Sequence, residues 1–541
     1  ATRIFSLVTA GLLMLTASTA AADLAAGTIG IVLSMPSESA PAAYSKLFES
    51  AGRPATESLP LTKSEVWTIA GGRWNMVAAM AAQLGIQVRA LGENWNRVFV
   101  PMSHGASMTD RQKLMMARAM QSKAAVGMSM MALSDPILEE YALTKGAHGV
   151  ADGEPAALLI ALSDNLSVSV RRTSVARVAG GYAWHGNIEE TGEPVTLLWW
   201  PAGKMTGTAI YRGRIYAIHS MGGGMHGVVQ MNPDALPQDH APMTGGAQPN
   251  GKREKDPLVA KGDASAMLGP IQRHDGHSPE SHAPRRSDTK NREDAAPGKL
   301  ALAMPNAMPL TITPSPVLKP DIPVKIRIIV AYTAAAARAY LDIETDLVAL
   351  AIEQANQSFR DSGVGNVQLE LAHAYQTDYV ENGTHFDHVF RFADRGDGVA
   401  EEVHALRDKY QADIGILIVD DANGCGLAAE VFARPERAFA VVHHECAATM
   451  YSFAHEIGHL IGARHDEALD DSAMPFSYGH GFVHGNEWRT MMSYKDSCGG
   501  CLRLPIWSNP AVLVRGENAG DALSDNARVI AENAARVAGF R

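Results

Sequence analysis

In the last two fifths of the chain, apolar positions alternate between two registers. VKIRIIVAYT (324–333) and ADIGILIVDD (412–421) have the pattern of buried strands, and NVQLELAHAYQTDYV (366–380) and RAFAVVHHEC (437–446) read as further strands. Between them, LDIETDLVALAIEQANQSFRDSGV (341–364) repeats its apolar positions at helical spacing until Gly363, and 399–410 and 451–460 follow as helices. Strands alternating with helices predict an α/β unit on a twisted, mostly parallel sheet. Ser524 and Asp525 then introduce an amphipathic run from 526 to 538, the predicted terminal helix.

The first half has a different rhythm. From 151 to 243, short alternating segments separated by glycines, such as TGTAIYRGRIYAI and GMHGVVQMNPD, predict an antiparallel sheet. Segments 63–85 and 110–132 read as helices whose methionines fill a core, which makes 23–150 the helical part. Residues 244–321 are rich in proline, glycine and charge without periodicity and read as an extended linker, the expected place for processing cuts. At the start, Arg3, an apolar run and small residues ending at Ala22 form a Sec signal-peptide pattern, which assigns 1–22 to export. The unit from 322 to 541 completes the division.

Composition narrows the classes of function. A net charge of −11 gives no electrostatic reason to invoke nucleic acid, and no stretch after the signal is long and apolar enough to predict stable membrane insertion. The four cysteines, Cys425, Cys446, Cys498 and Cys501, all lie in the last quarter. Their even number suggests two disulfides formed in an oxidising compartment. Three pairings are open, of which Cys425 with Cys446 and Cys498 with Cys501 is favoured.

The candidate chemistry lies in HEIGHLIGARHD, His455 to Asp466. On a helix, His455 and His459 fall on one face and can reach one metal ion, with Glu456 beside them to take a proton from water. Gly462 can turn the chain back so that His465 becomes a third ligand, leaving a coordination position open as in catalytic zinc sites. Downstream, TMMSY at 490–494 supplies a second match.

On these two motifs the chain resembles the metzincin zinc metalloproteases, closest to the bacterial M12-like (reprolysin-like) and peptidyl-Asp metalloendopeptidases. That resemblance implies a metzincin-like α/β catalytic domain with a twisted mixed sheet and an active-site helix, preceded by an α+β prodomain, and it makes the segment Ala438–His444 the edge strand along the cleft, against which an extended substrate pairs. It implies Zn2+ on the three histidines, while nothing indicates a structural Ca2+. Met492 becomes the turn methionine packed beneath the histidines, Tyr494 a phenol near zinc, and Asp466 the anchor of the loop after His465. The expected activity is hydrolysis of a protein or peptide substrate, with an acidic preference read by a cation among Arg464, Arg489 and Arg503. The alternatives are an inactive binding protein of the same fold and a zinc amidase.

The prodomain is expected to act as an intramolecular inhibitor in a secreted zymogen, exported via the periplasm if the source is Gram-negative. No cysteine precedes Cys425, which excludes a thiol blocker. Asp234, Asp239, His240, His219 and His226 are the candidate carboxylates and imidazoles for that role.

Overall fold

In the computed structural model, residues 157–200, 203–237, 309–313 and 322–541 are described, together with 28–34, 64–70, 74–83, 87–90, 96–102 and 107–134. The signal-peptide reading, nearly all of the linker, Asp239 and His240 lie outside them.

The N-terminal half holds β1 (Thr28–Ser34), β2 (Ser64–Ala70), α1 (Trp74–Gln83) and β3 (Gln87–Ala90), the strands forming a sheet in the order β2-β1-β3. A larger antiparallel sheet follows. Its strands are β4 (Phe99–Pro101), β5 (Ala125–Leu133), β6 (Leu158–Ser163), β7 (Leu166–Val178), β8 (Gly181–Ile188), β9 (Pro194–Trp200), β10 (Lys204–Tyr211), β11 (Arg214–Gly222) and β12 (Met225–Met231). Their order is β4-β5-β12-β11-β10-β9-β8-β7-β6. The two ends meet, because Val98 N–H donates to the Leu159 carbonyl at 2.9 Å and Leu159 N–H to that of Asn96 at 2.7 Å. Joining the ends covers the exposed edges an open sheet would leave. Trp184, Leu197, Met205 and Phe99 fill one buried core of this sheet.

The helical reading of 23–150 needs correction. Segment 63–85 is strand β2 followed by helix α1, and 110–132 is α2 (Asp110–Ala119) followed by β5. Thr109 and Gln112 form the capping box that starts α2. AVGMSMMAL then alternates small and large residues around Gly127, a strand pattern obscured by methionine and alanine, which favour helices. Because β4 and β5 belong to the large sheet, residue 150 does not separate a helical part from a β part.

After β13 (Ile312–Thr313), the C-terminal half is the predicted α/β unit. β14 (Val324–Tyr332), β15 (Val367–Gln376), β16 (Ile414–Val419), β17 (Gly426–Ala428) and β18 (Phe439–His443) are ordered β15-β14-β16-β18-β17. The first three contacts are parallel and β17 alone is antiparallel. The edge prediction is therefore wrong by one strand, since β18 lies inside the sheet and the three-residue β17 covers it. So short a strand between glycines and turns carries almost no periodic signal.

One face of this sheet carries α3 (Ala349–Asp361), α7 (Ser452–Ile461) and α8 (Asn526–Val537); the other carries α4 (His385–Ala393) and α5 (Glu402–Lys409). α6 (His444–Thr449) leads into α7. The terminal helix starts where predicted, with the Asp525 carboxylate accepting from Arg528 N–H at 3.0 Å.

The outer face of the large sheet packs on the α3 side. Ala183, Leu198 and Ile210 join Leu347, Leu350 and Ile352 in one core. Across this contact His185 Nε2 lies 2.9 Å from Glu353 Oε1, and Gln354 donates to Thr208 Oγ1 at 2.7 Å. Lys204 Nζ stands 3.1 Å from Asp342 and 3.2 Å from Asp346. A cavity of about 670 Å³ remains between the halves, bordered by His219, Tyr340, His443, His444, Glu445 and Asp420 among others.

Candidate active site

Helix α7 carries the site because its two faces differ in chemistry. Phe453, Ile457 and Leu460 are fully buried in the α3-side core, and each such burial contributes on the order of 2 kcal/mol. His455 and His459 project about 200° around the helix from that stripe. The helix begins one residue later than the pattern predicts, because Tyr451 is left-handed at φ 58° and caps it from outside. At the far end Gly462 takes φ 133°, and Arg464 N–H then bonds to the Gly479 carbonyl at 2.7 Å, which returns His465 toward the helix.

The three imidazoles converge. His465 Nε2 lies 3.2 Å from His455 Nε2 and 2.9 Å from His459 Nε2. Among the described residues they are the one group of three or more metal-ligating side chains with closely placed donor atoms. His455 Nδ1 is 3.0 Å from the Met491 carbonyl, and His459 Nδ1 is 2.9 Å from the Ala463 carbonyl. A carbonyl only accepts, so both Nδ1 atoms carry the proton and both Nε2 lone pairs face inward. Nitrogens bound to one tetrahedral zinc stand about 3.3 Å apart, so this donor set fits a cation of that size.

Asp466 and the methionine turn lock around the ligands. One Asp466 carboxylate oxygen accepts the Tyr494 N–H at 2.9 Å and the other the Ser497 hydroxyl at 2.6 Å. The Tyr494 ring packs 4.2 Å from that of His465. Met492 is fully buried, and its sulfur stands 3.0 Å from where a methyl on Gly458 would lie, directly under α7. Cys425 pairs with Cys446 and Cys498 with Cys501, at Cα separations of 5.3 and 5.5 Å.

Other candidates are placed elsewhere. Arg464 makes a buried two-pronged ion pair with Asp470, at 2.7 to 3.1 Å, which removes it as a free reader of acidic substrates. Arg489 and Arg503 are buried and both donate to the Ser493 carbonyl, at 3.1 and 3.0 Å. His226 has both nitrogens engaged within the large sheet, by Met205 N–H at 3.1 Å and the Gly224 carbonyl at 3.2 Å, so it is not a blocker. His219 borders the interface cavity. His444 lies there too, between the Tyr340 hydroxyl and Asp420, both at 3.1 Å. Asp234 is exposed, 3.8 Å from Lys495.

Sequence reasoning missed the carbonyls of Met491 and Ala463, which have no side-chain signature. It also missed Ser497 and Gly426. A methyl on Gly426 would stand 2.5 Å from Glu456 Oε1.

Comparison with known proteins defines the class first: residues 323–502 match the model of metallo-peptidase family M12. A peptidyl-Asp metalloendopeptidase of Xanthomonas campestris is 32% identical over 403 residues, covering 72% of this chain and 83% of that protein. One from Stenotrophomonas maltophilia is 42% identical over 224 residues, 40% of this chain and 53% of its own. The chain belongs to this bacterial M12-like family and is a metalloendopeptidase. Metalloproteinase-II of Bacteroides fragilis superposes at a TM-score of 0.30 with 10% identity, over 57% of this chain and 81% of that one, too loosely to bear on the site.

Proposed function

We propose that the protein is a secreted zinc endopeptidase, latent until its N-terminal half is removed, that hydrolyses extended peptides with a preference for bonds at acidic residues. The observation that carries this reading is the convergence of three Nε2 atoms beside the buried Glu456, two of them with lone pairs turned inward. His455, His459 and His465 would hold the ion, and when bound it would supply Lewis acidity toward a peptide carbonyl and toward water.

The chain's own residues do the rest. Glu456 takes the proton of the attacking water and returns it to the departing amine. Tyr494, held against His465 by the Asp466 anchor, donates to the oxyanion that develops on the substrate carbonyl. An extended substrate pairs with the outer edge of β17, next to Glu456. The printed name of the relatives supports an acidic preference, with Arg489 and Arg503 the remaining candidates to read it.

Latency is supported by the course of residues 234–237. Asp234 stands beside Lys495, next to Tyr494, while the Pro237 carbonyl approaches Cys425 Sγ to 3.0 Å, next to Gly426. That sulfur is in a disulfide and has no proton, so this is a packing contact, reinforced by Leu236 clustering with Cys425 and Cys446. The N-terminal half thus touches both flanks of the site, which favours occlusion, with Asp239 and His240 as the following side chains to substitute. The signal pattern and the two disulfides support export to an oxidising compartment.

The test is a digest of a denatured protein, with cut sites mapped by mass spectrometry, using the intact 23–541 chain, a form cut between 244 and 324, and its Glu456→Gln variant. Strong cleavage by the cut form alone, enriched at Asp or Glu, is expected. Equal turnover by the intact chain would reject latency, unbiased sites would reject the acidic preference, and an active Glu456→Gln would reject the mechanism.

A further inference from the structure

We propose that Gly426 is a positioning residue for Glu456: its bare Cα is the wall that holds the carboxylate in its working position. The proposal rests on the reading of Glu456 as the proton-transfer group and adds what sets its geometry.

A methyl built on Gly426 would lie 2.5 Å from Glu456 Oε1, 2.8 Å from its Cγ and 2.9 Å from its Cδ. All three of the nearest atoms belong to that one side chain, so the glycine backbone and the carboxylate are in direct contact. Gly426 keeps a φ outside the left-handed region. Space, not backbone conformation, is therefore the reason a side chain is excluded.

The wall is fixed in place on both sides. Gly426 pairs with Val442 where β17 meets β18, and His443 N–H donates to the Cys425 carbonyl at 2.9 Å. The disulfide from Cys425 to Cys446 ties the residue before Gly426 to α6, the helix leading directly into α7. Glu456 approaches from α7, whose opposite face is anchored in the core. Its side chain is only 2% exposed, so the strand and its packed surroundings, rather than solvent, set where the carboxylate lies. Elements distant in sequence are thereby cross-linked so that strand and carboxylate meet at a set distance.

The contact predicts an unusual alanine substitution. The methyl meets the end of a flexible side chain, so the fold can yield by moving the carboxylate about 1 Å, and a misplacement of that size costs about 100-fold in rate. Gly426→Ala should lower kcat about 100-fold in the processed protein, with KM changed less than about threefold and bound metal still stoichiometric.

The decisive measurement is a double-mutant cycle with Glu456→Asp, which withdraws the carboxylate by one methylene. Glu456→Asp is expected to be slow alone, and adding Gly426→Ala should then cost less than about fivefold, because the shorter side chain no longer meets the methyl. A full 100-fold further loss in the Asp background, or an undiminished kcat for Gly426→Ala alone, would overturn the proposal. If Gly426→Ala fails to fold, the double variant decides: recovery of folding and metal content upholds the contact with Glu456, and continued misfolding assigns the glycine to a different contact. An active Glu456→Gln would instead reject the underlying mechanism, a result distinct from any outcome of the cycle.

Discussion

Asp466→Asn tests how tightly the methionine turn depends on one carboxylate. The wild-type oxygens accept Tyr494 N–H at 2.9 Å and the Ser497 hydroxyl at 2.6 Å, with Asp466 3% exposed. Hydrogen bonds to a charged group contribute about 1.5–3 kcal/mol each. Asparagine keeps one acceptor and turns an NH2 group toward the other partner, so the loss is close to one such bond, about 2 kcal/mol. For a unit the size of the C-terminal half that lowers the thermal midpoint by roughly 4–8 °C. If the same energy is what holds Tyr494 against His465, kcat/KM falls up to about 30-fold. Differential scanning calorimetry and quenched-peptide hydrolysis on the same preparation, with metal content measured, provide the assay. A midpoint within 1 °C of wild type together with unchanged kcat/KM would refute the anchoring argument.

The two disulfides should differ in weight. Loop closure over 21 residues predicts about 3 kcal/mol lost on replacing Cys425 and Cys446 by serine, against about 2 kcal/mol for Cys498 and Cys501, separated by 3; chemical denaturation showing the reverse order would contradict this. Burial in the interface cavity lowers the His219 pKa from 6.5 to about 4, helped by the neighbouring His444 and opposed by Glu445. The docked state therefore favours neutral His219, so docking is at full strength above pH 6.5 and weakens as pH falls toward 4. Between pH 7 and 5 this amounts to at most roughly 20-fold, the upper end because the ring borders a cavity open to water. Asp346, pushed up to about 6 by burial despite Lys204, acts in the opposite sense, gaining docking strength as pH falls through 6. The His219 share is thus read as the difference in pH-dependent release of the cut N-terminal fragment between wild type and His219→Leu, and identical profiles would contradict it. Tyr494→Phe should lower kcat about tenfold or more with KM little changed; an unaltered kcat would remove the hydroxyl from catalysis.

The convergence of the three histidines was legible because its information lies in side chains at short spacing. His455 and His459 share a helical face, Gly462 supplies the turn, and a 12-residue motif specifies what the fold then assembles. Asp466 and Met492 were legible through the same motifs, and the C-terminal helix through its cap at Asp525. What stayed hidden depends on tertiary placement or on the backbone. The Met491 carbonyl fixes a tautomer without any signature, and β17 reaches the edge of the sheet with only three residues. Gly426 carried no signal of its own, because its close contact is with a helix 30 positions away. In the N-terminal half, methionine and alanine masked strand β5, which is recognisable only once its partners β4 and β12 are in place.

The most direct test of the central claim is zinc titration of the chelator-stripped, processed protein, following hydrolysis of a quenched peptide and bound metal per chain together. The account predicts that activity disappears on stripping, returns in proportion to zinc up to one equivalent, and does not return in His465→Ala, whose occupancy falls with its activity. Full hydrolysis by wild type at verified zero metal, or full zinc retention and full activity in His465→Ala, would contradict it.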